Sequence, residues 1–420
     1  MGEQNDSKHL TIKSITRRYY GVWWSYAFAG GFLFGIYPLF LRARGLNQFE
    51  TNSVLATYFA VTFLTDVPTG AFADALGRRR SFLLGCAARC AAFMVYFFSY
   101  RYFMFLIAET IDGIGTTFCN GAIDAWGVDA LDDAGFDTVK DRLFSRVAQL
   151  STVGFMVSAL IGAHVGNINI AWPWLLGAGG YLLSGVIGSF LMRGERPRTA
   201  HVEVRAFPAM ISRRVVEGLR HGFRHRTVLM LAMAGAIQTL AWAPLWVEWP
   251  VYFNHSYGVG VWIIGWIWSL FAIARMIGAE AVARLKGDEP GRNRMLSALV
   301  VSAAALLFMA GAGGNRPNFA LGILFVMNLC TGAMAPLAQS WLNEQLASGD
   351  RATMMSFNST LSTLGGSIGA LIGGWLADAY GIPFGWQVAA FILLSSAACY
   401  WALRPKSRPE EVGAVVGDTK

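Results

Sequence analysis

Gly70-Ala-Phe-Ala-Asp-Ala-Leu-Gly-Arg-Arg-Arg80 joins two long apolar runs, one beginning near Thr51 and the other at Ser81. A small residue such as Gly70 lets two helices approach closely inside a bilayer. Asp74 lies just before a basic turn and can clasp it electrostatically. An arginine run at the end of an apolar helix marks that end as cytoplasmic. The stretch, with Gly77 ahead of Arg78, Arg79 and Arg80, therefore reads as a short inner loop between two membrane-crossing helices.

The rest of the chain has the same character. Hydrophobic residues make up 55% and charged residues 14% of its 420 residues, where a soluble domain carries about 25% charged residues. Mean hydropathy is +0.43. A bilayer core about 30 Å thick takes about 20 mostly apolar residues. Twelve such segments can be laid out, starting near Gly21, Thr51, Ser81, Tyr102, Phe144, Trp172, Thr227, Gly260, Met295, Pro317, Thr353 and Phe384. Short loops use up what remains, so no sizeable soluble domain is expected.

A net charge of +8 invites a nucleic-acid reading, but its distribution argues against one. With the N-terminus inside, only Arg42, Arg44, Arg101 and Arg316 fall outside, and Arg89 and Arg275 within spans. That asymmetry sets the orientation, with both termini cytoplasmic. Attraction to anionic inner-leaflet lipids is a natural use of the excess. Met1 to Leu10 is polar, without the apolar core of a signal peptide, so none is expected to be cleaved. Cys86, Cys90, Cys119, Cys330 and Cys399 all lie in apolar segments, lack metal-ligand spacing and read as packing residues. Neither a metal nor a cofactor is expected.

The chain repeats at half its length. Ser151-Thr-Val-Gly-Phe-Met-Val-Ser-Ala-Leu-Ile-Gly162 aligns without gaps to Ser362-Thr-Leu-Gly-Gly-Ser-Ile-Gly-Ala-Leu-Ile-Gly373, with seven of twelve positions identical. Upstream, Asp124-Ala-Trp-Gly-Val-Asp-Ala-Leu131 resembles Gln339-Ser-Trp-Leu-Asn-Glu-Gln-Leu346. Both pairs lie about half the chain apart, placing the fifth segment against the eleventh and the fourth against the tenth. Between the halves, Arg193 to Arg226 carries nine arginines, no lysine, Pro197 and Pro208, and reads as a linker in which Ser212 to Phe223 could form a short interfacial helix.

Gly70, Asp74, Gly77 and Arg78 to Arg80 together resemble the loop between the second and third transmembrane helices of the major facilitator superfamily, and with the repeat the resemblance covers roughly residues 18–404. It implies an all-α membrane protein of twelve helices in two pseudo-symmetric six-helix bundles, working by alternating access. The implied divisions are a cytoplasmic segment 1–18, an N-terminal bundle 19–193, a linker 194–226, a C-terminal bundle 227–404 and a cytoplasmic tail 405–420. The bacterial-type features imply the inner membrane, and a monomer is expected. Two departures stand out. Where many members carry Arg-x-x-Gln-Gly-x-Gly in the fourth helix, this chain has Glu109-Thr-Ile-Asp-Gly-Ile-Gly115. Where many drug exporters carry Gly-Pro-x-x-Gly-Gly in the fifth, it has Ser158-Ala-Leu-Ile-Gly-Ala163, without the proline.

Charges inside apolar segments are costly and mark functional sites. At 1.5 Å per residue, Glu109 and Asp112 sit about 10 and 15 Å deep from the outer end of the fourth segment. Three apart, they share a face. Two such carboxylates repel when both are ionised, which suits a proton carrier; a structural ion pair is the alternative. Arg89, about 12 Å from the inner end of the third segment, is the available partner or a ligand for substrate. Asp66-x-Pro-Thr-Gly70 with Asp74, and Asp124-Ala-Trp126 with Asp129, resemble a mostly bacterial subset of the superfamily. They read as an inner gate closing on Arg78 to Arg80, Arg142 and Arg146, or as a static surface network.

In the second half, Trp242, Trp246, Glu248 and Trp249 lie on a segment bent by Pro244 and Pro250. They suit flat or cationic molecules, or belong to an interfacial aromatic belt. Gln238, Asn328 and Gln339 are further polar candidates for substrate contact. Arg275 and Glu280 could belong to a second-half gate. The expectation is a proton-coupled exporter of amphipathic or drug-like compounds, neutral or cationic. The alternatives are an uptake symporter for a metabolite or organic anion, held by Arg89 or Arg275, and a non-transporting receptor. Nothing in the motifs suggests an enzyme.

Overall fold

The computed structural model of the chain describes residues 2–135, 141–193, 226–284, 289–345 and 351–402. Among these there are thirteen helices: α1 Gly2–Gly31, α2 Tyr37–Ala43, α3 Gln48–Leu76, α4 Arg78–Phe98, α5 Tyr102–Asp133, α6 Asp141–Ile168, α7 Trp172–Leu191, α8 Arg226–Tyr257, α9 Trp262–Ala283, α10 Glu289–Ala312, α11 Pro317–Gln345, α12 Arg351–Tyr380 and α13 Ile382–Trp401. Ten are long and apolar enough to cross a bilayer. Set against the expected twelve, the two segments outside those ten are α5, which carries Glu109 and Asp112, and α1 with α2. The expected single first span is thus broken: α1 ends at Gly31, Gly35 turns at φ 77°, and α2 restarts with Pro38 in its first turn, where its missing N–H costs no helical bond.

The two halves repeat one packing plan. In the first, α4 packs on α5, α3 on α5, α4 on α7, and α1 on both α6 and α7; in the second, α10 packs on α11, α9 on α11, α10 on α13, and α8 on both α12 and α13. Superimposing α1 on α8 and α3–α7 on α9–α13 carries each pairing onto its counterpart. The contacts between bundles obey the same exchange: α3 meets α12, and α9 meets α6. The repeated glycines explain the repeated sequence. A Cβ at Gly162 of α6 would collide with the Phe32 carbonyl, and one at Gly373 of α12 with the Pro244 ring. Two cores result. One is built from residues of α1–α7 such as Tyr96, Phe105 and Trp174, the other mainly from α8–α13, including Phe253, Ile264 and Trp386.

The opening motif is a near-continuous turn. Gly77 caps α3 and starts α4 at φ 100°, a conformation that strains any side chain. The close approach expected at Gly70 does not occur: nothing lies within 4 Å of where its Cβ would stand. The proposed helix Ser212 to Phe223 lies outside the described residues.

At the end of the molecule carrying Gln48, polar contacts tie the bundles together. Asp378 accepts the backbone N–H groups of Gln48 and Phe49 at 2.9 and 2.7 Å, and Asn167 accepts that of Val261 at 3.1 Å. Further in, Ser367 donates to the Ala56 carbonyl at 3.1 Å. Toward the end carrying Arg78, a cavity of about 240 Å³ separates α3 and α5 from α12, lined by Asp66, Thr116, Asn120 and Thr363.

Candidate functional site

A cavity of about 490 Å³ lies between the bundles, walled by Glu109, Asp112 and Arg89 on one side and by Trp246 and Thr239 of α8 on the other. The sequence places Glu109 and Asp112 on one helix face, and both reach this cavity. Each is only 6% exposed. Asp112 is paired: Arg89 Nε donates to Oδ1 at 2.8 Å and Nη2 to Oδ2 at 3.1 Å. The remaining Arg89 nitrogen, Nη1, donates to the Tyr26 hydroxyl at 2.8 Å, and the guanidinium lies 4.3 Å from the Tyr181 ring centroid. Gly115 makes this possible, since a Cβ there would stand 2.6 Å from Arg89 Cγ. Glu109 accepts instead from the Tyr96 hydroxyl, and Tyr96 is held by stacking on Trp174 at 3.9 Å. Arg89 lines the cavity and is paired there with Asp112.

A second compartment of about 130 Å³ opens beyond Trp246, enclosed by Trp242, Trp249, Trp268, Phe271, Arg275 and Asn328. Trp246 lines both cavities. Phe34, from the break between α1 and α2, lies 4.0 Å from the Trp268 ring and edge-on to Trp246 at 5.5 Å. Trp268 and Phe34 were not anticipated. Their one signal is the tryptophan density of the segment Trp262–Trp268, which also fits a lipid-facing belt.

Two substrate candidates sit elsewhere. Gln238 donates to the Tyr400 hydroxyl at 2.9 Å and lines neither cavity. Glu248 is fully buried at the interface between bundles, where Asn52 Nδ2 approaches Oε1 at 3.4 Å. Two residues from Trp246, it lies on the opposite side of α8. Asn328 does line the smaller compartment, its amide donating to the Leu324 carbonyl of its own helix at 2.8 Å. The Gln339 side chain is outside the described residues. Arg275 is not grouped with Glu280: it faces the aromatic compartment, while Glu280 takes Arg284 at 2.9 Å.

At the Arg78 end, Asp74 pairs with Arg78 at 2.5 Å, and Asp129 of α5 approaches the same guanidinium at 3.9 Å. These bonds lie within the first bundle. Among the described residues, Asp124 takes its hydrogen bonds from α1, with Tyr19 Oη at 2.6 Å and Trp23 Nε1 at 2.9 Å, and not from Arg78, Arg79, Arg80 or Arg146; the Arg142 side chain lies outside the described residues. Asp66 lines the 240 Å³ cavity between α3 and α12. Arg79 is exposed on the first turn of α4.

Comparisons with known proteins agree with this architecture. A family model described as the Major Facilitator Superfamily matches residues 22–314 and 231–416. Multidrug resistance protein 2 of Bacillus subtilis is 20% identical over 378 residues, covering 88% of this chain and 90% of that protein. Multidrug resistance protein MdtG of a Rahnella species is 24% identical over 375 residues, covering 87% and 88%. Among solved structures, the nucleoside transporter NupG superposes with a TM-score of 0.75 at 12% identity, covering 92% of this chain and 98% of that one. That last likeness speaks to the fold alone.

Proposed function

This chain belongs to the Major Facilitator Superfamily, and on that premise we propose that it is a proton-coupled secondary transporter that exports amphipathic organic compounds by alternating access. The observation that carries the reading is the pair of buried carboxylates facing one guanidinium on the wall of a cavity between the bundles. Ionised groups at this depth are stable only when balanced. Two carboxylates and one arginine balance when one proton is aboard. Asp112 keeps Arg89, and Glu109, held by a hydroxyl rather than a cation, carries the exchangeable proton. Aromatic walls accept apolar ring systems. The names of the two multidrug relatives favour drug-like cargo and the outward direction.

The arginine-rich end is taken as cytoplasmic, in a bacterial inner membrane with both termini inside. The conformation then faces inward, sealed at the Gln48 end. Residues 19–193 and 227–404 are the moving units, 194–226 their linker, and 1–18 and 405–420 the cytoplasmic ends. Gly70, Asp66, Asp74, Gly77, Asp124 and Asp129, with Arg78 and Arg79, form the inner gate of the opposite state. The test is flux in proteoliposomes with a panel of amphipathic acids, amines and neutral dyes. Glu109→Gln is expected to keep exchange down a solute gradient and to lose the response to an imposed pH gradient, with Asp112→Asn impaired in both. Full pH-driven flux in Glu109→Gln removes the proton assignment, and no flux of any solute by the wild type removes the transporter reading.

A further inference from the structure

Among the described residues, two arginines lie deep within the membrane-crossing helices, away from the helix ends, and their surroundings differ. Arg89 is matched by Asp112. Arg275, half-buried in α9, forms no ion pair among the described residues. It stands about 20 Å along α9 from the Gln48 end and about 12 Å from the helix's other end, too deep for an arginine that simply reaches the headgroup layer. Its backbone is fixed as well. Gly332 of α11 lies directly against it: a Cβ there would stand 2.6 Å from Arg275 Cα and would collide with its carbonyl. The guanidinium carbon is 5.5 Å from the Trp246 ring centroid, in a compartment shared with Trp242, Trp268, Asn328 and Thr331.

We propose that Arg275 is the anion-recognising residue of the transport site and that the cargo is an amphipathic aromatic anion, a carboxylate or sulfonate attached to a ring system. This deepens the transporter reading above and rests on it. An unpaired cation on a membrane-depth wall is a standing cost that an anionic ligand relieves. A guanidinium matches the planar, two-oxygen geometry of a carboxylate. Asn328 and Thr331 supply further polar groups beside it. The compartment of about 130 Å³ is close to the roughly 150 Å³ apolar cavity known to hold a single benzene ring. It takes one ring with its charged group, and the rest of the molecule passes Trp246 into the larger cavity. A cationic drug would meet like charge in this compartment. An anionic cargo departs from the expectation from sequence of a neutral or cationic substrate, because Arg89 pairs with Asp112 and Arg275 has no ion-pair partner among the described residues.

The experiment measures equilibrium binding to the purified full-length protein, by quenching of tryptophan fluorescence, of three matched probes: phenylbutyrate, its primary amide and phenylbutylamine. The wild type is expected to bind the carboxylate at least about tenfold more tightly than the amide and to bind the amine weakest, tenfold corresponding to about 1.4 kcal/mol. Arg275→Gln should erase the preference for carboxylate over amide, and an unfolding temperature close to that of the wild type shows that the variant is folded. Arg275→Lys should retain part of it. Equal affinity for carboxylate and amide in the wild type overturns the proposal without needing a variant, and a preference that survives Arg275→Gln overturns it as well. Loss of phenylbutyrate binding when phosphatidylglycerol is added assigns Arg275 to a lipid headgroup and overturns it too. Flux of other solutes with no anion preference leaves the transporter reading standing and removes this one. Anion-selective binding with no flux of any solute leaves the Arg275 site standing and removes the transporter reading.

Discussion

Asp378, near the end of α12, caps the start of α3 across the interface between the bundles, accepting the N–H groups of Gln48 at 2.9 Å and of Phe49 at 2.7 Å. A helix begins with four N–H groups that lack partners within it. Here a capping box satisfies the other two: the Asn47 side chain accepts the Glu50 N–H at 2.7 Å, and the Glu50 carboxylate accepts the Asn47 N–H at 2.9 Å. Half of the helix start is therefore completed by the opposite bundle, and only while this end is shut. The carboxylate also meets the positive end of the helix dipole. Asp378→Ala removes two charge-assisted bonds, each worth about 1.5–3 kcal/mol at most and less where water takes over. The expected result is a shift of roughly tenfold or more toward states open at the Gln48 end. Spin labels at Asn169 and Val259, on facing bundles, should report longer and broader distances. An unchanged distribution removes the latch role.

Arg89 and Asp112 form a buried pair with two parallel contacts. Removing one partner of such a pair strands the other and typically costs about 3–5 kcal/mol. Arg89→Gln and Asp112→Asn are each expected to lower the thermal unfolding temperature in detergent clearly. The double variant should recover a large part of the loss, because no lone charge remains. Strict additivity of the two losses shows that the pair is not coupled. Glu109→Gln keeps an acceptor for the Tyr96 hydroxyl and should leave unfolding nearly unchanged, which separates the proton-carrying group from the structural one.

Much of this was legible in the sequence because a bilayer makes charge conspicuous. Glu109, Asp112 and Arg89 are among the few ionisable residues at mid-depth, and spacing alone puts the carboxylates on one face and the arginine at matching height. The six-plus-six plan was legible because Gly162 and Gly373 meet the same steric demand in each bundle. What was hidden depends on rotation and on distant partners. Glu248, two residues from Trp246 and so on the opposite side of α8, meets the interface while Trp246 stays in the cavity, and the tryptophans flanking it in sequence drew it into their group. Asp124 finds Tyr19 and Trp23 more than a hundred residues away on α1, where proximity in sequence pointed to the arginines. Trp268 has the same composition signal as a lipid-facing ring, and only Phe34 against it reveals the wall.

The repeat makes a paired prediction about packing. Gly162→Ala and Gly373→Ala each press a methyl group into a facing backbone or ring, and overpacking of this kind costs about 1–3 kcal/mol. Both variants should lose monodisperse yield and thermal stability to a similar degree, since the two glycines occupy equivalent places between α6 and α1 and between α12 and α8. Gly322→Ala, on α11 with nothing within 4 Å, is the matched control and should behave as wild type. A large loss at one repeat position with none at the other breaks the equivalence.

Gly70 offers the sharpest distinction between packing and alternation. In this conformation its Cβ position faces open space, so Gly70→Ala is expected to leave the unfolding temperature unchanged, or to raise it slightly through the helix preference of alanine over glycine, roughly 1 kcal/mol. The small residue has no structural work to do here. If the Arg78 end closes in the transport cycle, α3 must approach the opposite bundle, and a methyl group at position 70 penalises that state alone. A penalty of about 1.4 kcal/mol moves the equilibrium tenfold toward the conformation sealed at the Gln48 end. The prediction is therefore a protein as stable as wild type, with probe affinity intact and flux reduced by roughly the same factor. The spin-label pair at Asn169 and Val259 should show a narrower, shorter distribution, opposite in sense to Asp378→Ala. Combining the two variants should bring the distribution back toward wild type, because one destabilises the shut end and the other destabilises its alternative. Wild-type flux in Gly70→Ala assigns the glycine no part in closing the Arg78 end, and the charged turn of Asp74, Gly77 and Arg78 is then a fixture of the first bundle rather than a moving surface.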